Sequence, residues 1–244
     1  MKIKISPQYF PYLWVLGLII IGSFLRLYNL GSNSFWLDEA ATHIFTQQSI
    51  SEYWQLLNNL GDVHPPLFYI VEKIILPFGT TEFLYRLFPA IFGIATIPLF
   101  YIIGQKMFGR PVGIIMAVLI TFSPFHIAYS QDARMYTMLL FIISIMIIFY
   151  LDAIKSNNLK YWILFGLVSA LAIWVHFIVG ILIGALIIYS LFHLLKGKNS
   201  LKNLLLSIIV ITVFVSPLIL IIKGLFINRV GTAPTWGYKG FYLT

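Results

Sequence analysis

Three short stretches of this sequence stand out for side chains able to move protons or fix charge, each beside long apolar runs. The first is Phe35-Trp36-Leu37-Asp38-Glu39-Ala40. Adjacent carboxylates repel, which raises one pKa and suits a general base or a cation ligand. Two solvated loop acids beside an interfacial Trp would look the same. The second is Gly61-Asp62-Val63-His64-Pro65-Pro66-Leu67-Phe68-Tyr69. Two prolines fix the backbone after His64, whose imidazole then suits a metal, a phosphate or a proton; a turn-forming Asp and a helix-starting His-Pro-Pro fit equally. The third runs from Ser123 through Pro124, His126, Tyr129 and Gln131 to Asp132, Arg134 and Tyr136. Asp and Arg this near hydrocarbon need partners and are functional candidates by default, although a structural ion pair closing the loop also fits. Arg86 suits an anion or snorkelling at the edge of an apolar segment, and His176 marks a turn inside another.

The elements that must position these residues are membrane helices. Only 10% of residues are charged and the mean hydropathy is +0.92, whereas a soluble domain carries about 25% charged residues. The absence of cysteine excludes disulfides and thiolate metal sites. The net charge of +8 is scattered singly rather than gathered in a stripe, so nucleic acid is not the partner. Apolar runs cover 12–28, 83–103, 112–129, 135–151, 161–175, 177–195 and 204–222, so the expected fold is all-α, with about seven transmembrane helices in one domain. Lys2 and Lys4 before the first run, with no small-residue cleavage site after it, resemble an uncleaved signal anchor. Pro124 should kink the third segment.

The stretch 161–195 as one helix would reach roughly 50 Å, against a hydrocarbon core of about 30 Å. A turn near His176 resolves this. It gathers Lys106, Arg110, Lys155, Lys160, Lys196, Lys198 and Lys202 on one side, with Asp152 their only acid. That side is cytoplasmic by the positive-inside rule, as is the amino terminus. Asp38, Glu39, Glu52, Asp62, Glu72, Glu82 and Asp132 fall outside, so the chemistry is expected there. The first outer loop, 31–82, should carry two interfacial helices. Residues 49–60 open with a Ser49/Glu52 capping box, and apolar 66–76 starts on Pro66.

Taken in order, Trp-Leu-Asp-Glu-Ala (36–40), His-Pro-Pro-Leu-Phe-Tyr (64–69), Tyr-Arg-Leu-Phe-Pro-Ala (85–90) and Tyr-Ser-Gln-Asp-Ala-Arg-Met-Tyr (129–136) resemble the GT-C membrane glycosyltransferases. Within them the resemblance is to the family-39 group of protein O-mannosyltransferases and aminoarabinose transferases, and it extends from 30 to about 176. It implies a seven-helix module and a polyprenyl-phosphate sugar donor. Transfer would go to a glycan, lipid or protein acceptor outside the plasma membrane. It implies Asp38 as the key carboxylate, Asp132 as a second, and His64 facing donor phosphate or a metal. The aminoarabinose enzymes carry Arg where Ala40 and Ala41 stand, Lys at His64 and a carboxylate at Val63. Members are usually much longer, so the carboxy-terminal part of the family is expected to be missing here.

The mechanism expected from this resemblance is inverting. Asp38 is the base, with Glu39 and Asp132 tuning it or holding the acceptor. Arg86, Arg134 and His64 hold phosphate, and Gln131, Tyr136 and His176 contact substrate. Asp38, His64 and Asp132 are candidate ligands for a divalent ion, without diagnostic spacing. A carrier-lipid flippase, a scaffold and an inactive fragment are the alternatives.

Overall fold

The structure is a computed structural model that describes residues 10–49, 51–52, 64–197 and 200–230. Lys2, Lys4, Asp62, Val63, Lys198 and most of the helix expected at 49–60 lie outside the described residues. Those described are helical, joined by turns and short connections, without strands.

Each apolar run forms a helix. α1 is Phe10–Leu27, α4 Glu82–Phe108, α7 Tyr136–Ser156, α8 Leu159–Val175, α9 Val179–Leu195 and α10 Leu201–Val230. The third run is two helices, α5 Arg110–Phe122 and α6 Pro124–Ser130, bent by 58° at Ser123. α4, α7 and the Leu201–Leu218 part of α10 are long and apolar enough to cross a membrane, and α5 with α6 makes a fourth if the bent pair is one span. α1, α8 and α9 are apolar but shorter. The break between α8 and α9 falls at His176, where the overlong stretch was expected to turn.

Two packed regions hold the helices together. Val15 and Leu18 of α1 meet Ile97 and Tyr101 of α4 and Ala117 and Ile120 of α5. The larger region joins Met146 and Tyr150 of α7, Trp162 and Phe165 of α8, and Leu204 of α10. α4 and α5 approach closely: a methyl group on Gly113 would sit 2.7 Å from the Tyr101 carbonyl, so a side chain there would part the pair. At the end remote from the acidic clusters, Lys106 pairs with Asp152, and Asn157, left-handed at φ 50°, binds Ser200 and Asn203 of the α10 start.

The α5–α6 break has a buried partner. Pro124 offers no N–H, and the last carbonyls of α5 are left open. Arg26 of α1, fully buried, donates to the carbonyls of Ile120 (2.9 Å) and Thr121 (3.3 Å) and to His126 Nδ1 (2.8 Å). Arg26 was not singled out in the sequence, and His126 was named there only as part of the third stretch.

The first loop differs from expectation in one respect. Residues 37–47 form α2, Leu37–Gln47, so Asp38 and Glu39 lie in the first turn of a helix rather than in irregular loop. There they also favour the positive end of the helix dipole. The Ser49/Glu52 cap forms reciprocally, at 2.8 and 3.3 Å. Pro66 caps α3, Leu67–Glu72, which tightens into a 3₁₀ turn, Lys73–Phe78.

Candidate active site

The organising contact is a buried ion pair. Glu39 of α2 is 1% exposed and faces Arg86 near the start of α4, 5% exposed. Arg86 Nε donates to Glu39 Oε1 at 2.7 Å and a terminal nitrogen to Oε2 at 2.6 Å, a bidentate fork. Glu39 also accepts the backbone N–H groups of Ala133 (2.8 Å) and Trp36 (3.3 Å). Burial alone would push its carboxyl up; the bonds from Arg86, Ala133 and Trp36 outweigh that and hold it below the usual range.

The remaining Arg86 donors go to carbonyls of the α1–α2 connection: Leu30 (3.1 Å), Asn33 (2.8 Å) and Ser34 (3.3 Å). A guanidinium has five N–H donors, and each has a protein acceptor here. Arg86, expected to hold phosphate, therefore ties the α1–α2 connection, α2 and α4 together. Glu39 extends that clamp to the α6–α7 turn. Its four acceptor positions are filled, so it positions neighbours rather than exchanging protons.

Asp38, next along α2, differs. It is half-buried, and among the described residues no hydrogen bond or ion pair engages its carboxyl; only its backbone carbonyl is used, by Thr42 and by Arg134 at 3.3 Å. Asp132 is oriented by the Trp36 indole N–H at 3.0 Å. Burial pushes its carboxyl up to about 6; the Trp36 bond opposes this, the Glu39 charge adds to it, and Arg134 and Arg86 oppose it.

Arg134, which donates to the Asp38 carbonyl, has His64 and His176 near it. Arg134 is 3% exposed. His64 and His176 stand edge to face with ring centroids 5.5 Å apart. His176 Nδ1 accepts the Ile178 N–H (3.1 Å), which leaves Nε2 to carry the proton of the neutral ring. Burial, then the neighbouring His64 and Arg134, hold its pKa below the ordinary imidazole value.

Beside Trp36 opens a cavity of about 430 Å³, lined by Asn29, Asn33, Ser34, Trp36, Gln131 and Asp132, with Glu39 and Arg86 also in its wall. Gln131 uses its amide N–H groups on the carbonyls of Leu25, Arg26 and Tyr28, fixing the α6–α7 turn on the end of α1. Asn29, Asn33 and Ser34 were not singled out from sequence, since isolated Asn and Ser in a short connection read as turn formers.

Tyr136 does not join this site. It meets Tyr129 edge to face (4.8 Å) and lines a separate, largely apolar cleft with Phe125 and His126. Among the described residues no three His, Asp or Glu side chains come together around a possible metal position, so Asp38, His64 and Asp132 do not form a ready ligand set.

The arrangement thus gathers a polar cavity lined by Asp132, an Asp38 carboxyl that no described contact engages, and the Arg134 guanidinium on the Asp38 carbonyl. That is what displacement of an anionic leaving group by a hydroxyl needs. No curated protein matches the chain. The family model for dolichyl-phosphate-mannose-protein mannosyltransferase matches residues 63–221, a span that contains His64, Arg86, Asp132, Arg134 and His176 and starts after α2. With its apolar helices and this match over most of its length, the chain belongs to the dolichyl-phosphate-mannose-protein mannosyltransferase family, membrane glycosyltransferases of the GT-C type.

Proposed function

We propose that this protein transfers a sugar from a polyprenyl-phosphate donor to an acceptor hydroxyl at the non-cytoplasmic face of the plasma membrane, inverting the anomeric carbon. The observation that carries the reading is the gathering of Asp38, Asp132, Arg134, His64 and His176 at one end of the bundle by the Glu39–Arg86 clamp. All seven apolar helices then cross the bilayer, with α2, α3 and the 3₁₀ turn at the outer interface and the Lys106–Asp152 end inside. Surrounding lipid covers exposed side chains such as Ile181, Ile188 and Phe192 of α9.

In the reaction, the acceptor oxygen bonds to the anomeric carbon as the bond from that carbon to the phosphate oxygen breaks. The hydroxyl proton passes to Asp38, and polyprenyl phosphate departs with the bonding electrons. Its phosphate is already a good leaving group, so the protein supplies charge rather than a proton there. Arg134, with His64 and His176 as N–H donors, holds the phosphate oxygens. Asp132, aimed by Trp36, accepts from an acceptor hydroxyl. A carrier-lipid transporter would place ionisable groups at mid-bilayer, whereas here the acidic clusters and the Lys106–Asp152 pair lie at opposite ends of the bundle.

The test is transfer in proteoliposomes from a polyprenyl-phosphate hexose labelled in the sugar. Label should move to a hydroxyl acceptor with inverted configuration. Label that crosses the bilayer still joined to its lipid would establish a transporter instead.

The role of Asp132 sets a pH dependence. With a pKa of about 6, its carboxylate is ionised above that pH and protonates as pH falls through it, so transfer should decline below about pH 6. Trp36→Phe removes the N–H that favours the ionised form. A hydrogen bond to a charged group contributes about 1.5–3 kcal/mol, so the acid limb of the profile should move up by about one unit or more. An unmoved limb would show that Asp132 does not govern it.

A further inference from the structure

The geometry points to the 430 Å³ cavity beside Trp36 as the acceptor subsite, built for a neutral carbohydrate rather than a peptide or an anion. This rests on the transferase reading above and adds what that reading leaves open, the class of molecule that receives the sugar.

Charge is the first argument. Glu39 and Arg86 in the wall neutralise each other at 2.6–2.7 Å. Asp132 is then the only lining group able to carry net charge, and it is negative or neutral. A phosphate or carboxylate would meet no available cation. Arg134, with His64 and His176 near it, contributes nothing to this lining.

The second argument concerns backbone. A peptide held in extended form takes much of its affinity from main-chain hydrogen bonds. In the connection that forms this wall, the carbonyls of Leu30, Asn33 and Ser34 are already engaged by Arg86. What the wall still offers is side chains: the amides of Asn29 and Asn33, the Ser34 hydroxyl, the Gln131 carbonyl oxygen and the Asp132 carboxyl. Amides and hydroxyls that both donate and accept match the hydroxyls of a sugar ring. Trp36, 51% exposed and fixed through its N–H to Asp132, presents an apolar face to the C–H side of such a ring.

The third argument is placement. In an inverting displacement the incoming hydroxyl and the departing phosphate lie on opposite faces of the anomeric carbon. With phosphate held at Arg134, which the lining does not include, the cavity is left for the acceptor. Asp132 in the lining and Arg134, two residues on, join the two, since Arg134 also donates to the Asp38 carbonyl.

The chain has no cysteine, so a single introduced thiol reports on this cavity alone. Ser34→Cys, reconstituted in nanodiscs, would be modified with a small maleimide in the presence of methyl α-mannopyranoside or methyl β-glucopyranoside. Inorganic phosphate and a blocked threonine tripeptide would be the competing probes. Ser32→Cys, exposed and outside the lining, is the control, and Asn33→Cys serves if Ser34→Cys does not fold. A methyl hexoside should slow modification at position 34 or 33 saturably, about fivefold at a concentration about four times its Kd, and leave position 32 unaffected. Protection by the peptide or phosphate but by neither hexoside, or by none of the four, overturns the proposal. The readout needs no turnover. Protection without any transfer from a polyprenyl-phosphate sugar would defeat the transferase reading and leave the carbohydrate site standing, and transfer without protection would do the reverse.

Discussion

Glu39→Ala should lower the stability of the folded bundle by about 3–5 kcal/mol, the range found when one partner of a buried ion pair is removed. The magnitude follows from what remains. Arg86 keeps its charge at 5% exposure with only carbonyls around it, and the N–H groups of Ala133 and Trp36 lose their acceptor. Thermal unfolding in one detergent reads the loss. A pair of Met residues at 39 and 86 should recover much of it, because no charge is then stranded. Activity should not return with stability, since the α1–α2 connection would no longer be held by Arg86 at Leu30, Asn33 and Ser34. A Glu39→Ala protein that unfolds like the parent would mean that the clamp does not organise the site. The stabilising contribution also has a pH sign. The Glu39 carboxyl is held below the usual range, so its contribution is present above the unfolded carboxylate pKa and is lost as pH falls through the lower folded value.

The same contact shows where sequence stops being informative. The apolar runs follow the bilayer, so their helices were legible to within a few residues: 83–103 became Glu82–Phe108, and 135–151 became Tyr136–Ser156. Pro124 and His176 mark breaks that chain length and a missing N–H require. α2 was missed although Leu37, Ala40, Ala41, Ile44 and Phe45 fall at helical spacing and Glu39 caps the Trp36 N–H locally; Arg86, 47 residues further on, then holds its start in place. The error over the acidic pair came from treating it as a loop. On a helix, neighbours project about 100° apart and do not face each other, so Asp38 and Glu39 do not form a repelling pair. One turns into the clamp and the other stays uncommitted. Glu72, expected as an outer acid, is fully buried in α3 with no hydrogen-bond partner for either oxygen among the described residues, and burial raises its pKa well above the ordinary value. Nothing in its local sequence announces that. Arg86 was legible as a site residue but not in its role, which depends on acceptors from three separate segments.

Asp38→Asn should reduce sugar transfer by about 10²–10⁴-fold, equivalent to roughly 3–5 kcal/mol of barrier, which is what a positioned general base typically supplies. Its unfolding midpoint should stay near that of the parent, because no described contact uses the Asp38 carboxyl. This separates it from Glu39, where activity and stability should fall together. Asn keeps the size and shape of Asp, with one acceptor oxygen replaced by an NH2 donor that cannot take up a proton. Acceptor and donor binding should therefore persist while the proton has nowhere to go, so kcat falls with little change in KM. Asp132 is the alternative base, since its raised pKa also suits proton transfer at neutral pH. The two assignments part on one comparison. If Asp38→Asn transfers at the parental rate and Asp132→Asn does not, the base is Asp132. A large loss in Asp38→Asn that persists at every pH from 5 to 9 fits removal of the base itself, whereas a loss that vanishes at high pH would mean that Asp38 only tunes a neighbouring group.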